Sequence, residues 1–207
     1  MTPWTQHHED GHLVIALIAS AGGLDALTDI LAQLPADLPA AIPIAQHTNP
    51  RRDHHLAAIL DKRTELTVRD AENGQQITAG TVLVAPARHH LLVTPEQRVA
   101  LIECGTYPPS RPSGDLLLAT LATGVGRRAV AVVLTGAGHD AATGATAIHH
   151  FGGFMITSDA RTSQHFSMPR ATINRDDAVD LVLPLDKIGD TIHQLATTPT
   201  IGTAESA

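Results

Sequence analysis

The sequence predicts an α/β fold, a doubly wound, mostly parallel sheet with flanking helices and an inserted β-hairpin. Two observations predict it. Short continuous apolar runs alternate with segments of helical periodicity along the whole chain, as they do when parallel strands are covered on both faces by their crossover helices. The alternation breaks once, where two β-like runs flank Pro95-Glu96-Gln97, and that break reads as a hairpin.

Residues 13–19 form the first apolar run, bounded by turn residues, and predict a buried strand. Residues 22–34 carry Leu24, Leu27, Ile30, Leu31 and Leu34 at helical spacing, and Pro35 and Pro39 end that helix. Residues 41–45 predict a second strand. Asn49 as N-cap and Pro50 at the first helical position open a helix whose apolar residues are Leu56, Ala57, Ile59 and Leu60. Residues 81–85 read as a strand, and 89–94 with 98–103 as the hairpin. Three prolines make 107–112 a loop. Ser113 caps a helix that runs to about residue 123, where Gly124 and Gly126 stop it. Residues 128–135 are the most apolar strand. A helix over 141–151, a strand over 153–157, a short helix over 168–174, a strand over 181–185 and a helix over 186–196 complete the pattern. There is no internal repeat and no Gly/Ser/Pro linker. The reading is one domain, 13–197, between a polar extension, 1–12, and a flexible tail, 198–207.

Composition narrows the function classes. Of 207 residues, 43% are apolar but only 2% aromatic, so Val, Ile, Leu and Ala must build the core. The net charge of −7 supplies no basic field, so nucleic acid is not an expected partner. The single cysteine, Cys104, rules out an internal disulfide and is expected to be a buried, inert thiol. Residues 1–12 do not resemble a signal peptide, and no apolar run is long enough to span a membrane. A soluble, cytoplasmic protein without membrane insertion is expected.

Ligands of open α/β sheets bind at the carboxyl ends of the strands. After the first strand come Ser20, Ala21, Gly22 and Gly23; after the second, Gln46, His47 and Thr48; after the most apolar, Gly136, Ala137, Gly138, His139 and Asp140. A serine hydroxyl needs a base to take its proton, and the base needs a third group to fix its tautomer. Ser20, His47 and Asp140 supply those three chemistries from three strand ends. Each also has an ordinary explanation: serine at a helix start is most often an N-cap, a histidine after a strand is often a polar loop residue, and Asp140 could cap the next helix.

Two other readings compete. Gly136-x-Gly138-x-x-Ala141 matches a dinucleotide fingerprint in its Gly/Ala variant, and Asp159 stands where a ribose-binding acid belongs. The unit lies late in the chain, however, whereas that fingerprint usually opens its domain. The chain also has 13 histidines, including the adjacent pairs His7-His8, His54-His55, His89-His90 and His149-His150. Adjacent residues diverge on a strand or helix, and no metal-binding spacing occurs. No metal and no cofactor are expected unless His47 meets His90 or His139 in space.

Taken together, the motifs resemble the catalytic domain of the chemotaxis protein-glutamate methylesterase family, CheB, over about residues 13–188. Ile18-Ala19-Ser20-Ala21-Gly22-Gly23 is similar to that family's Gly-Ala-Ser-Thr-Gly-Gly. Gln46-His47 matches its Gln-His, and Leu134-Thr135-Gly136-Ala137-Gly138-His139-Asp140 resembles its Leu-Thr-Gly-Met-Gly-Asn-Asp. Ala85-Pro86 with His90, Arg111-Pro112-Ser113 with Asp115, and Met168-Pro169-Arg170 extend the likeness.

The resemblance implies that Ser20 is the nucleophile, His47 the general base and then acid, and Asp140 the residue that orients His47. It implies backbone oxyanion donors at Ala137 and Ala21. The implied reaction is hydrolysis of glutamate methyl esters on chemoreceptor cytoplasmic helices or another methyl-esterified protein, with glutamine deamidation as a related activity. Ile18, Ala21, Ala137, His139 and Ala141 depart from the family pattern, replacing Gly, Thr, Met, Asn and Gly. They motivate an alternative, a catalytically silent partner-binding module of the same fold. The family commonly carries an N-terminal receiver domain. The first core strand here starts by Leu13, so a stand-alone esterase, constitutive or governed by a separate regulatory protein, is expected.

Overall fold

A computed structural model of the chain describes residues 11–48, 55–105 and 110–198. The elements are β1 (Leu13–Ala19), α1 (Gly23–Leu31), β2 (Ala40–Gln46), α2 (Leu56–Asp61), β3 (Thr67–Asp70), β4 (Thr81–Val84), β5 (His89–Val93), β6 (Val99–Glu103), α3 (Gly114–Val125), β7 (Ala129–Val133), α4 (Ala142–His150), β8 (Phe154–Ser158), α5 (Ser167–Ile173), β9 (Leu181–Leu183) and α6 (Leu185–Thr197). A single 3-10 turn, Gly126–Arg128, joins α3 to β7.

Seven strands form one parallel sheet in the order β3-β4-β2-β1-β7-β8-β9. β5 and β6 form a separate antiparallel hairpin. The doubly wound architecture expected from the alternating pattern is thus present. All seven residues of β1 are buried, because the strand is central and covered on both faces. Its side chains divide by alternation. Leu13, Ile15, Leu17 and Ala19 join a core with residues of α1, α2 and α6. Val14, Ala16 and Ile18 join a second core with α3, α4, Met168 of α5 and the hairpin residues Leu91, Val93 and Val99. Each fully buried Ile or Leu contributes about 2 kcal/mol. With two such faces, β1 is fixed in both register and orientation.

The structure adds to the sequence reading and corrects it. β3 was not anticipated. Its sequence, Thr-Val-Arg-Asp, sits at the sheet edge and buries only Val68, so no apolar run betrays it. Gly124 does not stop α3, which continues to Val125 and ends at Gly126 with φ 57°. A Cβ on Gly124 would lie 3.1 Å from the Thr94 carbonyl oxygen, so this glycine lets the helix pass close to the hairpin. Helix α1 ends at Leu31, three residues before the last leucine of its pattern, although Leu34 still reaches the core. The expected cap at Asn49-Pro50 lies outside the described residues, and the described part of that helix begins at Leu56. Cys104 is only partly buried, and burial raises its thiol above the usual range against an opposing pull from Arg111. No helix among the described residues is long and apolar enough to cross a membrane.

The chain leaves β1 toward β2 on one side, and β7 pairs with β1 on the other. The strand order therefore reverses beside β1, which opens a crevice at the carboxyl ends of β2, β1 and β7.

Candidate active site

Ser20 follows β1 and His47 follows β2. The last pair in that register is Ala19 with Gln46, and the His47 amide continues the ladder by donating to the Ala19 carbonyl at 2.9 Å. Ser20 and His47 thus stand opposite one another, one step beyond the paired strands. On the other side, the Ser20 amide donates to the Thr135 carbonyl at 3.0 Å, extending the pairing of β1 with β7.

The turn after Ser20 is tight. Gly22 takes a left-handed conformation at φ 76°, and the Gly23 amide returns to the Ser20 carbonyl at 2.9 Å. The same carbonyl accepts from Gln46 Nε2 at 2.7 Å. Gly23 must lack a side chain here, since a Cβ would fall 2.7 Å from the Ala19 Cβ and against the Gln46 amide. The loop after β7 closes on the same point. A Cβ on Gly136 would lie 2.8 Å from the Ser20 Cβ and 2.7 Å from Met168 Cε. The Thr135 hydroxyl donates to the Ala21 carbonyl at 3.0 Å and accepts the His165 amide at 2.8 Å, tying both loops together.

Asp140 is buried, and its Oδ2 lies 2.7 Å from His47 Nε2. Oδ2 also accepts the Gly114 amide at 2.5 Å. Oδ1 accepts the Asp115 amide and the Ser113 hydroxyl, each at 3.2 Å. The first turn of α3 therefore grips the carboxylate with its otherwise unpaired amides. The arrangement is reciprocal, because Asp115 Oδ1 accepts the Gly144 amide in the first turn of α4 at 2.7 Å. Small residues permit this crossing. A Cβ on Gly144 would sit 2.5 Å from the Leu118 Cβ, and one on Gly114 would sit 2.6 Å from Ile18 Cγ2.

Burial pushes the Asp140 carboxyl up. The hydrogen bond from His47, the Gly114 amide, the field of His47 and the Asp115 amide outweigh it and hold the group below the usual carboxylate range. Asp115 goes the other way, raised mainly by burial and by the neighbouring Asp140 against the pull of the Gly144 amide. An ionised Asp140 can only accept, so His47 Nε2 carries the proton of this contact, and in the neutral ring the lone pair stands on Nδ1. The site thus offers an oriented imidazole beside a serine at a helix entrance.

Ala137, Gly138 and His139 are exposed on the loop after β7. Among the described residues no acceptor is found for the Ala137 and Ala21 amides. His47, His90 and His139 do not come together as ligands, and no group of three or more His, Cys, Asp or Glu among the described residues is disposed to hold a metal ion. The dinucleotide reading fares poorly in physical terms. Gly136 is covered by Ser20 and Met168, and α4 opens beside the Asp140 and Asp115 carboxylates where a pyrophosphate needs free amides. Asp159 closes its own turn by accepting from Thr162 N at 2.9 Å and Thr162 Oγ1 at 2.6 Å.

Three supporting groups carried no signal of their role in the one-dimensional pattern. Gln46 clamps the Ser20 carbonyl, Ser113 and Gly114 grip Asp140, and His90 Nδ1 accepts the Ser113 amide at 2.9 Å. Their motifs were visible, but not the atoms that they bind.

A family model described as CheB methylesterase matches residues 15–192. A protein-glutamate methylesterase/protein-glutamine glutaminase of Pyrococcus horikoshii is 37% identical over 183 residues, which are 87% of this chain and 50% of that protein. The protein-glutamate methylesterase FrzG of Myxococcus xanthus is 37% identical over 181 residues, 87% of this chain and 54% of its own length. The chain thus spans about half the length of these relatives. It covers 93% of a putative protein-glutamate methylesterase/protein-glutamine glutaminase of Leptospira interrogans, at 34% identity. The crystal structure of the Thermotoga maritima CheB methylesterase catalytic domain superposes with a TM-score of 0.84 at 33% identity, covering 90% of this chain and 99% of that one.

Proposed function

The chain belongs to the CheB methylesterase family, and from that premise we propose that it is a serine esterase acting on protein glutamate methyl esters, with Ser20, His47 and Asp140 as its catalytic triad. The observation that carries this reading is the 2.7 Å contact with a buried, hydrogen-bonded Asp140 made by His47, which stands opposite Ser20 one step beyond the last strand pair.

In the proposed reaction each residue has one role. His47 Nδ1, the ring atom not given to Asp140, takes the Ser20 hydroxyl proton as the oxygen attacks the ester carbonyl. The Ala137 and Ala21 amides receive the developing oxyanion. Collapse of the tetrahedral intermediate expels methanol, which takes the proton back from His47. A water then enters by the same route, with His47 as base, and frees the glutamate carboxylate. With a glutamine substrate the same sequence releases ammonia. Asp140 stays ionised throughout and stabilises the imidazolium at each turn. The Ala21 and Ala137 departures keep their backbone donors and change only the side-chain lining. Substrates of this chemistry are methylated chemoreceptor helices or another methyl-esterified protein.

The test is methanol release from a methylated receptor fragment, with fluorophosphonate labelling of Ser20 in parallel. Both are expected in the wild type, and Ser20→Ala or His47→Ala should abolish both. Labelling without methanol release would redirect the assignment to another ester or amide. Absence of labelling would favour the catalytically silent module.

A further inference from the structure

The segment from Arg111 to Asp115 touches both halves of the site. The Arg111 carbonyl accepts the amide of Thr48, the residue after His47, at 3.0 Å. Three groups at the start of α3 hold Asp140. One of those three residues, Ser113, also has a buried backbone amide that donates outside the helix. Its acceptor is His90 Nδ1, at 2.9 Å. His90 is only 2% exposed and sits at the start of the hairpin, paired with Ile102.

A backbone amide can only donate, so Nδ1 must carry a lone pair. His90 is thereby fixed as a neutral imidazole with its proton on Nε2. We propose that His90 is a positioning residue of the active site: as a neutral acceptor it fixes the start of α3, which in turn aims Asp140 at His47. The proposal rests on the Ser20-His47-Asp140 reading above. Burial lowers the basicity of His90, Asp140 opposes this and Arg111 reinforces it, so the net effect favours the neutral ring. An apolar residue at this position would leave the Ser113 amide without a partner and let the helix start drift. A displacement of about 1 Å in a catalytic group can cost on the order of 100-fold in rate.

The test compares three substitutions in the full chain: His90→Asn, His90→Gln and His90→Leu. Asn places a carbonyl oxygen near the Nδ1 position, whereas Gln carries it one bond further and Leu removes it. With ester substrate, the Asn variant is expected to keep kcat within about threefold of wild type, and the Gln and Leu variants to lose tenfold or more. KM should stay unchanged in all three, since His90 is only 2% exposed. Thermal melting checks that each is folded, and if Leu fails to fold, the contrast of Asn with Gln decides the matter. Equal effects of Asn and Gln, in either direction, overturn the proposal. Nitrogen-15 NMR of the wild type gives a readout that does not need turnover: an Nδ1–H tautomer or a charged His90 at neutral pH also overturns it. A wild type that hydrolyses no ester defeats the parent reading instead, and the NMR result then stands by itself.

Discussion

Asp140→Asn changes one atom in the most heavily hydrogen-bonded side chain of the site. The Asp140 carboxylate faces four donors: His47 Nε2 and the Gly114 amide at Oδ2, and the Ser113 hydroxyl and the Asp115 amide at Oδ1. An asparagine must place its NH2 at one of the two positions. At Oδ1 it confronts the Asp115 amide, since only the Ser113 hydroxyl can rotate to accept. At Oδ2 it confronts the Gly114 amide and forces His47 Nε2 to accept, which moves the ring proton to Nδ1 and removes the base.

Either choice leaves a buried backbone amide unpaired at about 1–3 kcal/mol, and weakens charge-assisted bonds as well. A stability loss of roughly 2–4 kcal/mol at neutral pH is expected. The wrong tautomer in a serine triad costs on the order of 10⁴ in kcat, and a loss of about 10³–10⁴ is expected here. Linkage adds a pH signature. Burial raises Asp140, but its hydrogen bonds to His47, Gly114 and Asp115 win and depress it. Its contribution to stability is therefore complete above the unfolded carboxyl value of about 3.9 and is lost as pH falls through the lower folded value. Urea unfolding of both proteins from pH 7 to pH 2.5 should show the gap narrowing only below about pH 4. A variant that retains a tenth of wild-type kcat, or a gap that is constant with pH, would refute the reasoning.

Three further substitutions separate the parts of the site. Gly136→Ala puts a methyl 2.8 Å from the Ser20 Cβ and 2.7 Å from Met168 Cε, so fluorophosphonate labelling of Ser20 should slow by at least tenfold. Gln46→Leu removes the clamp on the Ser20 carbonyl together with Oε1, which is buried without a partner among the described residues. Stability should change by less than about 1 kcal/mol in chemical denaturation while kcat falls roughly tenfold. Ala141 holds a left-handed φ of 74°, which costs an L-residue roughly 1–2 kcal/mol. Ala141→Gly relieves that strain but loses a buried methyl worth about 0.8 kcal/mol and adds unfolded-state entropy of about 0.5–1 kcal/mol, so the melting temperature should stay within about 3 °C of wild type.

Most of the fold was legible because its information is local. β1, β2, β4 and β7 lie inside a covered parallel sheet, so each reads as an apolar run, and α6 reads as a helix by its spacing alone. β3 escaped because an edge strand with one buried residue has no such run. Gly124 misled because its absent side chain answers to the hairpin rather than to its own helix.

The site divides along the same line. By itself the sequence determined which strand ends would carry a serine, a histidine and an aspartate, because strands and their boundaries follow from nearest-neighbour pattern. The likeness to a known family then suggested how those residues work together. Only the tertiary structure decided that His47 meets Asp140, 93 residues away, through Nε2, and that the start of α3, Gln46 and His90 hold the arrangement. The physical reason is that hydrogen bonds are directional and short. Periodicity can place a residue on a face, but which atom meets which donor depends on the packing of helices and strands far apart in the chain.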